Sequence, residues 1–167
     1  MRVLVTYADD DGASADTARL ISDTLVLHGL HSVLRPVGTN HTDQDGSAAS
    51  IDSTAGFDAV ILGSTALTGR WRRHAVQFAT AQQHHLRRLP VWLFSNSPAG
   101  TALTPQPPVD LGTVEDALSA LDHRPFLAVT APAAPWTPRA LEPDPAEVCG
   151  WAHTIATTLQ QTANAGT

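Results

Sequence analysis

The sequence predicts an α/β protein: a doubly wound parallel sheet of five strands in a single domain. Three observations carry this. Short, continuous apolar runs recur along the 167 residues. Segments of helical periodicity fill the gaps between them. Gly, Pro or Asp bounds each run. The chain is long enough for one domain with a substantial core. That domain is expected to span residues 1–162, with the tail from 163 to 167 frayed.

Four runs read as strands buried on both faces: Val3–Tyr7 (VLVTY), Ala59–Gly63 (AVILG), Val91–Ser95 (VWLFS) and Phe126–Thr130 (FLAVT). A fifth, His31–Pro36 (HSVLRP), is more polar, as an edge strand is. Ser14 is placed to cap a helix running to Gly29, with Leu20, Ile21, Thr24 and Leu25 on one face. Trp71, Ala75, Phe78, Ala79 and Leu86 repeat at helical spacing in the next long gap. Thr113 opens a further helical stretch, TVEDALSAL, which turns Leu118 and Leu121 inward. Asp144-Pro145-Ala146-Glu147 resembles a capping box with proline at the first helical position. Val148, Trp151, Ile155 and Leu159 then follow one face. The segment from Thr39 to Gly56 is polar and aperiodic, suited to a short helix or a loop. Two Pro-rich stretches, Pro98–Pro108 and Pro132–Pro145, are long for connections in such a sheet, and long loops often carry function.

Composition narrows the function. A net charge of −6 argues against nucleic acid or an anionic membrane surface as partner. All 10 basic residues are Arg, so no Schiff-base lysine and no P-loop lysine exists. Cys149 is the sole cysteine, which excludes an intramolecular disulfide and fits a reducing compartment. Its helical surroundings, EVCGWAHTI, suit a buried structural thiol. No apolar stretch reaches membrane-spanning length, and VLVTY runs straight into aspartates without the apolar core of a signal peptide. The expectation is a soluble, cytoplasmic protein.

The first strand leads into the loop ADDDGAS and then directly into a helix. Further on stand ILGSTALTGRW (Ile61–Trp71), PVWLFSNSPAG (Pro90–Gly100), LDHRPF (Leu121–Phe126) and WAHTIATTL. In these segments the chain resembles the flavodoxin-like proteins. Within them it looks closest to flavodoxin-domain proteins related to menaquinone-dependent protoporphyrinogen oxidase. The resemblance covers nearly the whole chain. It implies strand order 2-1-3-4-5 and a ligand crevice at the carboxyl ends of the strands, beside strands 1 and 3. In that family the crevice holds FMN. The phosphate lies on the first loop, and the ring lies between the loops after the third and fourth strands.

Carried onto this chain, the resemblance implies a binding set of Asp10, Gly12, Ala13 and Ser14 from the first loop. Ser64, Thr65, Leu67, Gly69, Arg70 and Trp71 come from the second, and Ser95, Asn96, Ser97 and Gly100 from the third. Three features depart from the family pattern. Asp9 replaces a hydroxyl, Asp11 adds a second acid, and Leu67 stands where the family has an aromatic residue. A phosphate about 5 Å from two carboxylates faces several kcal/mol of repulsion at an effective dielectric near 20. The carboxylates can also turn outward as a solvated acidic turn, or Arg70 can pair with one of them. No metal set is evident in the spacing of the acids.

Two functions stay open on the sequence. One is an FMN-binding redox or electron-transfer protein, in which the flavin carries the chemistry. The other is a repurposed fold without FMN. That protein would be a small-molecule enzyme using Asp9 or Asp11 for acid–base work, or a partner-binding protein. Either way the expected ligand is a small molecule at the carboxyl end of the sheet. A homodimer through the sheet edge or the Pro-rich loops is also left open.

Overall fold

A computed structural model describes residues 1–8, 12–37, 53–67, 70–97, 122–127 and 143–165. The elements in chain order are β1 (Arg2–Ala8), α1 (Ala13–Leu27), β2 (His31–Pro36), β3 (Ala59–Leu67), β4 (Arg70–Trp71), α2 (Arg73–Leu86), β5 (Val91–Ser97), β6 (Asp122–Leu127) and α3 (Pro145–Ala165). The sheet runs β2-β1-β3-β5-β6 with every neighbouring pair on that path parallel. The two-residue strand β4 folds back antiparallel on the end of β3, pairing Ala66 with Trp71 and Leu67 with Arg70.

Period-two alternation along the central strands feeds two cores, one on each face of the sheet. Val3, Val5, Ala59, Ile61 and Phe94 face α1 and α3, where they meet Ile21, Leu25, Trp151, Ile155 and Leu159. Leu4, Val60, Leu62, Val91 and Leu93 face the other way, toward Trp71, Ala75, Phe78, Ala79 and Leu86. Helices therefore cover both faces, which is what the continuous apolar runs require. An aromatic series crosses the first core. Phe94 and Phe126 lie 6.4 Å apart, and Phe126 meets the Trp151 ring edge-on at 5.7 Å.

Several boundaries differ from expectation for identifiable reasons. Gly12, not Ser14, stands at the N-cap of α1, with φ 91° in the left-handed region that glycine adopts at little cost. Ser14 thus falls inside the first turn and points into the protein. The helix stops at Leu27, and Gly29 with φ 78° reverses the chain while Leu30 N donates to Leu25 O. Trp71 belongs to β4 rather than to α2, which begins at Arg73.

Strands β3 and β5 extend past their apolar runs through Ser64–Leu67 and Asn96–Ser97. The expected strand Phe126–Thr130 overlaps β6 only at Phe126 and Leu127, since β6 starts at Asp122 beside Trp92. Pro125 is admitted there because β6 is the last strand of the path. Residues 128–130 lie outside the described residues. So do the helical stretch from Thr113, nearly all of the Pro-rich segments and residues 39–52. Helix α3 starts as its sequence suggests, with Asp144 Oδ1 accepting from Ala146 N at 2.9 Å. It continues to Ala165, into the stretch expected to fray. Cys149 is half-buried rather than buried, and its Sγ accepts from Thr24 Oγ1 at 3.5 Å.

Two core positions make opposite predictions. A methyl group added at Gly63 would overlap the ring of Phe94, which crosses that strand with no room to spare. Gly63→Ala is expected to cost roughly 2–4 kcal/mol in urea denaturation, and Phe94→Leu in the same chain to return part of it. Full stability of Gly63→Ala alone would refute the tight crossing. The Thr6 hydroxyl, in contrast, is buried without a hydrogen-bond partner among the described residues. Thr6→Val is expected to raise stability by about 1 kcal/mol, because it removes an unsatisfied polar group at nearly constant shape. A loss of similar size would show that the hydroxyl has a partner after all.

Candidate functional site

The order β2-β1-β3-β5 reverses direction between β1 and β3, so their carboxyl ends open a crevice there. The N-terminus of α1 borders it. Gly12 places no side chain over the first turn, and the space beside its Cα is open. Helix N-termini of this kind favour anions through their unsatisfied N–H groups and dipole. In the first turn, Asp16 pairs with Arg19 at 3.1 Å. Both side chains are well exposed, so the pair adds little to stability.

Beneath the crevice lies a layer of buried polar side chains. On the α1 face, Ser14 Oγ and Thr65 Oγ1 share a hydrogen bond of 3.0 Å. On the same face Asn96 Nδ2 donates to Thr17 Oγ1 at 2.7 Å. On the α2 face, Trp71 Nε1 donates to Ser95 Oγ at 2.6 Å. Ser64 Oγ accepts from Arg72 N at 3.0 Å and donates to Thr65 O at 3.1 Å. All of Ser14, Thr17, Ser64, Thr65, Ser95 and Asn96 are buried.

The register explains the arrangement. Ser64 lies opposite Ser95, and Thr65 opposite Asn96. Alternation sends the first pair toward α2 and the second toward α1. Each pair holds one border of the crevice, either the start of α1 or the Trp71–Arg72 segment.

Of the residues expected at the site, Ser14, Ser64, Thr65, Trp71, Ser95 and Asn96 are therefore brought into one connected layer. Gly12 and Ala13 begin α1 at its edge. Leu67 and Arg70 are backbone partners across the β3–β4 turn, and Ser97 ends β5. Asp9, Asp10, Asp11, Gly69 and Gly100 lie outside the described residues, as does the suggested pairing of Arg70 with an aspartate.

Two participants were missed in the sequence. Thr17 stands three residues after Ser14, on the same helix face, and that spacing was its only signal. Arg72 takes part through its backbone N–H, which no side-chain pattern reveals. Arg72 is half-buried, whereas Arg73 beside it is exposed. His74, His84 and His85 are exposed or nearly so along α2. Among the described residues, no group of three or more His, Cys, Asp or Glu is arranged to hold a metal ion. None of the described helices is long and apolar enough to cross a membrane.

No protein-family model and no curated protein matches the sequence. Solved structures do match. A flavodoxin from the domain Archaea aligns with 96% of this chain and 99% of its own, with TM-score 0.63 and 12% identity. A cysteine-to-serine mutant of flavodoxin from Pseudomonas aeruginosa aligns over 96% of this chain and 99% of its own, with TM-score 0.62 and 14% identity. Rubredoxin oxygen:oxidoreductase from Desulfovibrio gigas aligns with 96% of this chain at TM-score 0.62 and 16% identity. The chain spans 36% of the length of that enzyme. At such identities the likeness is one of fold: the chain has the α/β, parallel-sheet fold of flavodoxins.

Proposed function

We propose that this protein binds FMN at the carboxyl end of its sheet and serves in electron transfer or as an FMN-dependent oxidoreductase. The observation that carries the reading is the start of α1. A left-handed Gly12 and an inward Ser14 hydroxyl stand at the point where the strand order reverses. The flavodoxin neighbours support it at the level of fold. The GRW and VWLFS…P…G segments further favour the group related to menaquinone-dependent protoporphyrinogen oxidase, a reading that rests on those residues alone.

The described residues fit the cofactor's phosphate. A hydroxyl donates once and accepts twice. With Thr65 donating to Ser14, the Ser14 O–H is left to give to an oxyanion. Gly12 lets the backbone approach closely, and the first-turn amides of α1 would add donors to the phosphate. Asp10 belongs to the same proposed set on the sequence alone. Leu67, Gly69, Arg70 and Trp71 would form one wall for the ring, set on β3 by the Ser64–Arg72 and Ser95–Trp71 bonds. Asn96, Ser97 and Gly100 would form the other. FMN when bound supplies one- and two-electron chemistry, and the protein needs no acid–base triad of its own.

One observation favours the second reading, a fold that has left FMN. Ser14 is completely buried and already bonded within the protein. Under that reading Asp9 and Asp11 act on another small molecule, or the crevice binds a partner.

The deciding experiment is a visible spectrum of the purified protein followed by calorimetric titration with FMN. A flavin spectrum or saturable binding is expected. Ser14→Ala should weaken FMN roughly tenfold or more, the scale of a hydrogen bond to a charged group. Replacing Asp9→Ser together with Asp11→His should tighten it. A colourless protein that ignores FMN would reject the proposal and move attention to the carboxylates.

A further inference from the structure

Helices α1 and α3 pack side by side against one face of the sheet, and their contact ends in two histidines. Thr24 and Cys149 meet first. One turn further along each helix, His28 Nε2 and His153 Nδ1 lie 3.0 Å apart. His28 is half-buried and His153 exposed, so water reaches the pair. Its base is rigid. His28 is the C-cap of α1, its N–H bonded to the carbonyls of Thr24 and Leu25, and its own carbonyl accepts from Gln160 Nε2 at 2.7 Å. His153 sits inside α3.

The ring geometry is informative. The two centroids are 4.5 Å apart and the planes are inclined by 57°. Imidazoles joined head to head by a straight N–H···N bond of this length would hold their centroids about 5.3 Å apart. The rings are instead bent off the N···N line. Bonds of about 2.0–2.1 Å from both nitrogens to a single ion would span this 3.0 Å gap at an angle near 94°, with centroids about 4.6 Å apart. That is the cis angle of a square-planar or tetragonal ion, the preference of Cu(II) and Ni(II). Tetrahedral zinc needs about 3.3 Å between the nitrogens. The carbonyl end of α1, where His28 stands, also favours a cation.

We propose that His28 and His153 form a two-imidazole site for a divalent ion of the Cu(II) or Ni(II) type. The ion takes the place of the proton shared by the two rings, with water completing its coordination. Binding there clamps the end of α1 to α3, on the flank of the domain and apart from the crevice. The proposal does not depend on FMN.

The test titrates the full chain with Cu(II), Ni(II) and Zn(II), in a Cys149→Ser background so that the thiol does not compete. One Cu(II) equivalent is expected that His28→Ala and His153→Ala each lack, with zinc about tenfold weaker. At hundredfold excess over its Kd the ion should raise the melting temperature by roughly 5 °C or more, through preferential binding to the folded state. Electron paramagnetic resonance of the unmutated chain with one Cu(II) equivalent should show two equatorial nitrogens. This last reading stands even if either histidine variant folds poorly. Retention of the first equivalent in both histidine variants, or a spectrum without two nitrogen ligands, would overturn the site.

Discussion

The register between β3 and β5 fixes most of what surrounds the crevice. Sliding one strand by a single residue would turn every side chain to the other face. A slip of β3 would turn Ser64 to α1 and Thr65 to α2, and a slip of β5 would do the same to Ser95 and Asn96. Trp71 Nε1 would lose the oxygen 2.6 Å away, and Ser14 and Thr17 would lose Thr65 and Asn96. A buried polar group left unmet costs about 1–3 kcal/mol, while a neutral bond contributes only about 1 kcal/mol net. The layer therefore acts mainly by disfavouring wrong registers. The apolar part of the strands cannot do this alone. Val, Ile and Leu occupy both faces there and tolerate either direction.

The same layer divides the molecule into two zones. Below it, the amino-terminal halves of β1, β3 and β5 are packed with aliphatic side chains and Phe94, which meets Phe126 and through it Trp151. Above it, the described strands β1, β3 and β5 end at Ala8, Leu67 and Ser97. Four side-chain hydrogen bonds tie these strand ends to α1 or to the Trp71–Arg72 segment. The carboxyl edge of the sheet thus rests on a hydrogen-bonded base. That is the usual division of labour in open α/β sheets, where rigid strands carry variable binding loops.

The alternation of apolar runs with helical segments made the architecture legible in the sequence. The runs VLVTY, AVILG and VWLFS each lie inside an observed strand, and the polar HSVLRP coincides with the edge strand β2. Legibility failed where a buried strand turned polar. The expected strands stopped at Gly63 and Ser95 because an isolated sequence does not show that the hydroxyls beyond them find partners on helices far along the chain. β6 escaped in the same way, since Asp122, His123, Arg124 and Pro125 carry no strand signature. The Gly12 cap was hidden by Ser14, which looks like the better cap in sequence. Its hydroxyl gains more from Thr65, a contact 51 residues away that local pattern cannot contain. The histidine pair spans 125 residues and lay beyond reach for the same reason.

Ser14 is where the two functional readings part. Its hydroxyl belongs to the polar layer, yet it also opens the helix whose N-terminus borders the crevice. The direction of one proton separates the outcomes. If Thr65 donates, Ser14 keeps its O–H for an anion, and the layer beneath it aims that hydroxyl. If Ser14 donates, its hydrogen is consumed inside the protein. The first turn then offers only backbone amides and the helix dipole. Amides alone hold phosphate in many folds, but here two aspartates, Asp9 and Asp11, precede them in the sequence, and their charge must be offset. Arg70 is the basic residue that the sequence supplies to the crevice loops. On the proposed reading, an anion at the crevice would be opposed by the charges of Asp9 and Asp11 and helped by that of Arg70, so its binding would turn on the balance among these three.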